Sequence, residues 1–479
     1  MISIFRSRPA PIWLLASALI IALAMLSLNE SRHLTLERGF EGKASDRGDG
    51  RVLLQVINSS AAAPVSVPSA GTSGFTPQTR MGFASGDQWE PAIAADRHGH
   101  VYILYPQYSG VPGCPTCFSP TMILQISSDH GSTWSSPTIM YPAGATNGQW
   151  DAQIVVDPAD GQTVYAAWLQ NGKSDIVVGK STNFGSTWSV VTASSINAGT
   201  DKPILVARGP NVYVSFDHTQ SAYVAASHDG GTTFSQVKIN QNSKLGWSLG
   251  GGGTVTPNGN VYIAWDGYTQ NGGAKGPVNL YVSKSSDAGV TWTTSLMDVS
   301  ASPPDCSSMS CGWAFLGAAM TMTSDSAGNL YTLWNAGSTA AGPERIYFSK
   351  STDGGNTWSA RQDVSAAPQG VEHAFPAIAA TGTGDVRIAW MDARNSTAGA
   401  IDRWNVYYRR STDGGSTWSA ESILSSYVGG FTYIFTNGYR FPFGDYFEME
   451  IDELGTTHVV WGEGYNYVGP GSVWYSQGK

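Results

Sequence analysis

Three observations predict an all-β ring of seven four-stranded antiparallel blades, a β-propeller, with six blades as the alternative. A turn of the form Ser-x-Asp-x-Gly-x-Thr-Trp recurs six times, and a strand ending in an aromatic residue recurs seven times. Gly (56), Trp (17) and Tyr (21) are plentiful, while charged residues make up only 13% of the 479 positions. That mix suits short strands joined by tight turns, and fixed-period self-similarity is the mark of a repeat architecture.

The turns run Ser127 to Trp134, Ser181 to Trp188, Ser227 to Phe234, Ser285 to Trp292, Ser351 to Trp358 and Ser411 to Trp418. Ser127 and Ser411 are five steps apart, about 57 residues each. The aromatic-ended strands close at Tyr105, Trp168, Phe216, Trp265, Trp334, Trp390 and Trp461. A further strand precedes each of these, and another follows before the turn. One unit is therefore strand, turn, strand, loop, strand, Ser-x-Asp turn, strand. Such a sheet cannot bury both faces alone, and radial packing of several buries them.

The seventh unit stops at Lys479, one strand short, which leaves an edge that needs cover. Arg51 to Ile57 reads as a strand without a unit of its own, and we expect it to pair beside Val473 to Tyr475 and close the ring. Residues 83–479 are then the propeller. Residues 29–82 form a polar, Ser/Ala/Pro-rich linker that carries this strand. In residues 1–28, Arg6 and Arg8 precede an apolar run from Ile12 to Leu28, which reads as a signal peptide or an N-terminal membrane anchor. Either form exports the rest, to the outer face of a membrane, the periplasm or the exterior.

In an oxidising compartment Cys114–Cys117 and Cys306–Cys311 read as two local disulfides, although three pairings and a four-thiolate zinc site are formally open. A net charge of −9 speaks against nucleic acid, where a basic stripe would be needed. The sequence contains no serine-hydrolase elbow, nucleotide loop or zincin motif, and no cofactor or metal is expected.

The repeated turn resembles the Asp box, or BNR repeat, of the sialidase-like β-propeller superfamily, from about Phe83 onward. In such a turn the Asp accepts backbone N–H groups and Gly permits positive φ, while the Trp packs between blades. Asn183 replaces Asp in the second copy, which suits a staple and not a catalyst. The resemblance implies Asp boxes on one rim and a ligand face on the other. It is specific for fold and weak for activity, since the superfamily includes sialidases, other glycoside hydrolases and propellers that only bind.

On the expected ligand face the first strands begin at Trp89-Glu90, Trp150-Asp151 and Thr200-Asp201, which we align as equivalent. Gly250, Ala319, Phe375 and Tyr446 fall at the same place in the other blades. Asp217, Asp266, Asp392 and Glu463 follow the second strands, with Arg394 and Arg403 in blade six. Asp445, Tyr446 and Arg440 precede blade seven, in an aromatic insertion, Tyr427 to Phe447, that includes Tyr439. Glu90, Asp151, Asp201, Asp392 and Tyr446 are the candidates for catalysis. Trp89, Trp150, Arg394, Arg403, Tyr439 and Arg440 are the candidates for ligand binding. Capping of strand ends beside solvent is the plainer role for any one of them.

Three functions follow: binding of a carbohydrate or protein ligand, glycoside hydrolysis in the manner of an exo-sialidase, or a structural role in an envelope complex. Family sialidases are similar to one another in six blades, an Arg-Ile-Pro motif, an arginine triad and a Tyr–Glu pair. Here Met81-Gly82 follows Arg80 and Arg-Ile-Pro is absent. Arg394, Arg440 and Tyr446 are only loose counterparts. Binding is therefore the leading expectation.

Overall fold

The computed structural model describes residues 51–479 apart from 53–54, 57–73, 84–86, 141–146, 198, 219, 242–245, 305–316, 396–403, 426–433, 436–437, 440–443 and 465–470. The targeting segment, Cys306, Cys311, Arg403, Arg440 and most of the aromatic insertion lie outside the described residues. Among the described residues no helix is long and apolar enough to cross a membrane.

Seven antiparallel blades follow in chain order. Their first strands are Ala92–Ala95, Gln149–Val156, Thr200–Arg208, Ser248–Val255, Met320–Ser324, His373–Thr381 and Glu448–Ile451. The second strands are Val101–Tyr108, Val164–Gln170, Asn211–His218, Val261–Tyr268, Leu330–Ala336, Asp385–Asp392 and Thr457–Gly464. Each first strand packs beside the next, and the seventh beside the first, so the ring closes.

Seven apolar clusters fill the seven junctions between blades. Tyr105, Trp168, Phe216, Trp265, Trp334, Trp390 and Trp461 contribute one ring to each cluster, and all are at most 2% exposed. The sevenfold aromatic of the sequence is thus the wedge that holds each blade against the one before it. An aromatic ring suits this place because it buries a large apolar area in a flat shape.

The six Asp boxes are hydrogen-bonded staples. In the first, Ser127 Oγ donates to Asp129 Oδ1 (2.7 Å) while accepting from the Gly131 N–H (2.8 Å), and the Thr133 N–H and hydroxyl donate to the same carboxylate. The pattern recurs at Asp229, Asp287, Asp353 and Asp413. Asn183 keeps it, with its amide donating to Thr187 Oγ1 where a carboxylate would accept. Gly131 adopts φ +79°, and a Cβ there would overlap the Tyr475 hydroxyl.

Closure differs from expectation. The strand that completes blade seven is Thr79–Arg80, with Thr79 opposite Tyr475 and Arg80 opposite Trp474. Arg51–Val52 pairs with Trp188 and Ser189 at the edge of blade two, and Gln55–Val56 with Thr138 and Ile139 at the edge of blade one. The chain entering blade one passes directly beside blade seven, so the adjacent segment takes the open edge. The Thr76 and Met81 N–H groups donate to Gln477 and Val473 carbonyls (both 2.8 Å), and Met81 and Phe83 are buried. Truncation to residue 83 should therefore lower the melting temperature by several degrees, because each lost backbone bond contributes about 1 kcal/mol and the Gly471–Gly478 edge is laid open. An unchanged melting curve by circular dichroism would contradict this closure.

Candidate functional site at the channel mouth

The mouth opposite the Asp boxes is shaped by bulges in the first strands. In blade two, Asp151 and Ala152 together face the single residue Trp168; in blade three, Lys202 and Pro203 face Phe216; in blade six, Phe375 and Pro376 face Trp390. In blade one, Trp89, Glu90 and Pro91 face Tyr105 and Pro106. The first bulge residue is left-handed at Asp151 (φ 56°), Lys202 (49°) and Phe375 (55°), as is Glu90 (54°). For a residue with a Cβ this conformation costs about 1–2 kcal/mol. Bulges re-aim side chains, and strain of this kind collects at ligand sites. Four equivalent positions bear that cost around one opening.

The register corrects one alignment. Lys202, and not Asp201, is the counterpart of Glu90 and Asp151, while Asp201 stands one residue earlier, opposite Asp217. The structure does bring Glu90, Asp151, Asp201 and Tyr446 together, with two lysines the sequence reading missed. Lys173 Nζ lies 2.8 Å from Asp201 Oδ1 and 3.7 Å from Asp151 Oδ2. Lys202 pairs with the Asp445 carboxylate, and its ammonium sits 4.9 Å over the Tyr446 ring. The dipeptides Glu90-Pro91, Lys202-Pro203 and Phe375-Pro376 were the signal that could have found Lys202.

Five carboxyl groups (Glu90, Asp151, Asp201, Asp217 and Asp445) thus meet two ammonium groups. Their environments divide them. Burial pushes the Asp151 carboxyl up to about 7 against the pull of Lys173, with the Asp201 charge adding to the rise. Burial also opposes charge on Asp201, but Lys173 and a hydrogen bond from Asp151 outweigh it and hold that group at about 2. Burial, then Asp445 and Asp151, raise Glu90 well above the carboxyl range, and burial with the Asp201 charge does the same to Asp217. Tyr446 donates to the Ala152 carbonyl at 3.3 Å. Burial and the carboxylates Glu90, Asp151 and Asp445 raise its phenol, which opposes a phenolate.

Below these groups opens a cavity of about 260 Å³ that includes Lys202, Trp247, Asp266, Phe375 and Tyr446 among its walls. Glycines 250 to 253 form its wall in blade four. A Cβ on Gly251 would overlap the Met320 carbonyl, so this strand runs against blade five with no room for side chains. Asp266 is 2% exposed, and one of its oxygens has no hydrogen-bond partner among the described residues.

The remaining candidates fall elsewhere. Arg394 Nε and Nη2 donate to Asp392 (2.8 and 2.6 Å) and Nη1 to Glu421 (2.6 Å), with the guanidinium 3.6 Å over the Tyr407 ring. Both forks are filled by protein carboxylates, so Arg394 braces blade six and is not a waiting anion clamp. Asp392 is fully buried, also accepts from the Trp390 indole (3.0 Å), and has no part in the mouth cluster. Trp89 is buried in a stack on Tyr108 (4.4 Å), and Trp150 is half-buried against the blade two and three core. Neither is a free platform. Tyr439 pairs through its backbone with Ile434, in a short hairpin. Cys114 and Cys117 form a disulfide in blade one.

A family model described as a BNR repeat-like domain matches residues 76–310. With its stapled Asp boxes in six of seven blades, the chain is a BNR-repeat β-propeller. No curated protein matches it. Among solved structures it is similar to a protein of unknown function from Dyadobacter fermentans (13% identity, TM-score 0.49, covering 85% of this chain and 99% of that one). It is also similar to an ulvan lyase of a polysaccharide lyase family (11%, 0.48, 83% and 95%). A third is a Trypanosoma rangeli sialidase in complex with sialic acid (14%, 0.42, 90% and 59%). Likenesses of this degree carry no argument about substrate or activity.

Proposed function

We propose that the protein is an exported binding propeller that holds a glycan at this mouth, and that the glycan is neutral or amine-bearing. Both ammonium groups on the strained rim are already held by Asp201 and Asp445, and that pairing carries this reading. Ionised Asp201 is one-third exposed beside the opening, where it can accept sugar hydroxyl groups. Lys173 and Lys202 are already paired, so neither is free to clamp an acidic sugar, whose carboxylate would meet ionised Asp201. Trp247 and Tyr446 contribute aromatic surface to the cavity wall, a surface suited to sugar C–H groups. Export is supported by Arg6, Arg8, the apolar run that follows them and the Cys114–Cys117 disulfide.

A glycan array probed with the purified protein should show neutral or amino sugars bound and sialylated ones ignored. Asp201→Asn should weaken binding by roughly 1.5–3 kcal/mol, or about ten- to a hundredfold, in calorimetry. Selective binding of sialylated glycans, or an Asp201→Asn variant that binds as wild type, would overturn the proposal.

A second reading, glycoside hydrolysis, is favoured by Asp151 and Glu90 holding protons beside ionised Asp201, since acid and base assignments follow carboxyl groups whose environments push them apart. Turnover of an aryl glycoside that Asp151→Asn abolishes would establish it. A sialidase mechanism is the least supported form, because no arginine among the described residues lines the cavity and Tyr446 is held protonated.

A further inference from the structure

The opposite rim carries a second cluster, at the junction of blades one and seven. His130 occupies the residue between Asp129 and Gly131 of the first Asp box, and faces the turn after the first strand of blade seven. His130 Nδ1 lies 3.3 Å from Asp452 Oδ2 and 3.7 Å from Glu453 Oε1, and one ligand atom from each residue falls within 4.8 Å of the others. We propose that His130, Asp452 and Glu453 form a zinc site that staples blade one to blade seven.

The geometry fits the metal. Tetrahedral zinc with bonds of about 2.0–2.2 Å places neighbouring ligand atoms about 3.3–3.5 Å apart, so little movement is needed. One imidazole with two carboxylates is a donor set for zinc, whereas calcium and magnesium favour oxygen alone. The imidazole binds as the neutral tautomer, with its proton on Nε2 and the Nδ1 lone pair on the metal.

The ligands are also held from behind. Asp452 Oδ1 accepts the Leu454 and Thr456 N–H groups (3.0 and 2.7 Å). Oδ2 lies 3.2 Å from His458 Nε2, and His458 Nδ1 lies 2.7 Å from the Tyr475 hydroxyl. The His130 N–H donates to the Gly99 carbonyl (2.9 Å). Outer partners of this kind orient metal ligands. His130 also lines a concavity with Thr76, Ser132, Thr456 and Gln477, so the imidazole is reached from solvent.

Position supplies the independent argument. The corresponding Asp-box residues are Phe184, Gly230, Ala288, Gly354 and Gly414 in the other blades, so the sole histidine of the set stands at the junction that a distant segment, Thr79–Arg80, must close. A cation there would hold the ring at the seam where it opens. The site lies on the rim away from the mouth, and its test is independent of any glycan.

The test titrates zinc chloride into the full-length protein freed of metal with a chelator. One saturable zinc per chain is expected by calorimetry. At a zinc concentration about a hundredfold above Kd the melting temperature should rise by about 3 °C. His130→Ala should lose the rise and at least tenfold in affinity. It should fold, since Ala288 holds the same turn position at φ 57°, against 57° for His130. Glu453→Gln, at an exposed residue, should weaken zinc similarly. Absence of saturable binding, or equal zinc-induced shifts in wild type and both variants, would overturn the proposal.

Discussion

Replacing Trp390 with Ala should destabilise the folded chain by about 3–5 kcal/mol, the range for removing a fully buried aromatic side chain. The ring is 0% exposed and packs in the cluster between blades five and six with Leu333, Phe348, Ile378 and Ile388. It stacks on Tyr407, and its indole N–H donates to buried Asp392 (3.0 Å). Truncation therefore opens a cavity between two blades and removes one bond from a buried carboxylate. Among the Asp-box tryptophans, Trp188 should behave alike, because it is 1% exposed and donates to the Gly185 carbonyl. Trp358 should cost clearly less, as that ring is only half-buried at the edge of its cluster. Urea midpoints of the three Ala variants at constant m-value decide the order. Equal losses at Trp358 and Trp390 would mean that the Asp-box ring holds the blades as firmly as the strand-end ring does.

That ordering shows what sequence can and cannot convey. The strand-end aromatics and the Asp boxes were legible because each does a local job at a fixed place in every unit. The blade count followed from them. Closure was not legible: a two-residue strand such as Thr79–Arg80 has no periodicity, while Arg51 to Ile57 is an apolar, strand-like run that belongs to other edges. At the mouth the carboxyl groups were legible as types, but a bulge shifts register by one residue, so Lys202 was hidden behind Asp201. Arg394 looked available because its partners, Asp392 and Glu421, reveal themselves only when the strands of blade six are laid side by side. Trp89 looked like a platform because nothing in the sequence announces that Tyr108 covers it.

Stability should peak near about pH 5 and fall steadily toward about pH 9. Burial raises the carboxyls of Glu372 and Glu463 to about 8, and those of Glu344, Asp217 and Asp266 well above the carboxyl range. All five are at most 3% exposed. Their folded pKa values exceed the unfolded ones, so their contribution is full below about pH 4 and is lost as pH rises through the folded value. Each such group removes about 1.4 kcal/mol per pH unit over the window in which only the folded chain holds the proton. Carboxyls with depressed values act in the opposite sense at the acid end. Hydrogen bonds from the box threonines hold Asp287, Asp353 and Asp413 at about 2, so their contribution is present above about pH 4 and is lost as pH falls through 2. Melting temperatures measured from about pH 3 to about pH 9 should trace this asymmetric profile. Glu463→Gln isolates one term: an amide oxygen can still accept the Trp461 indole N–H, which lies 2.9 Å from the carboxylate, yet nothing there titrates. The variant should match wild type near about pH 5, exceed it progressively from there to about pH 8, and keep a constant lead above that. Parallel curves for the two proteins would show that Glu463 is already ionised in the folded ring.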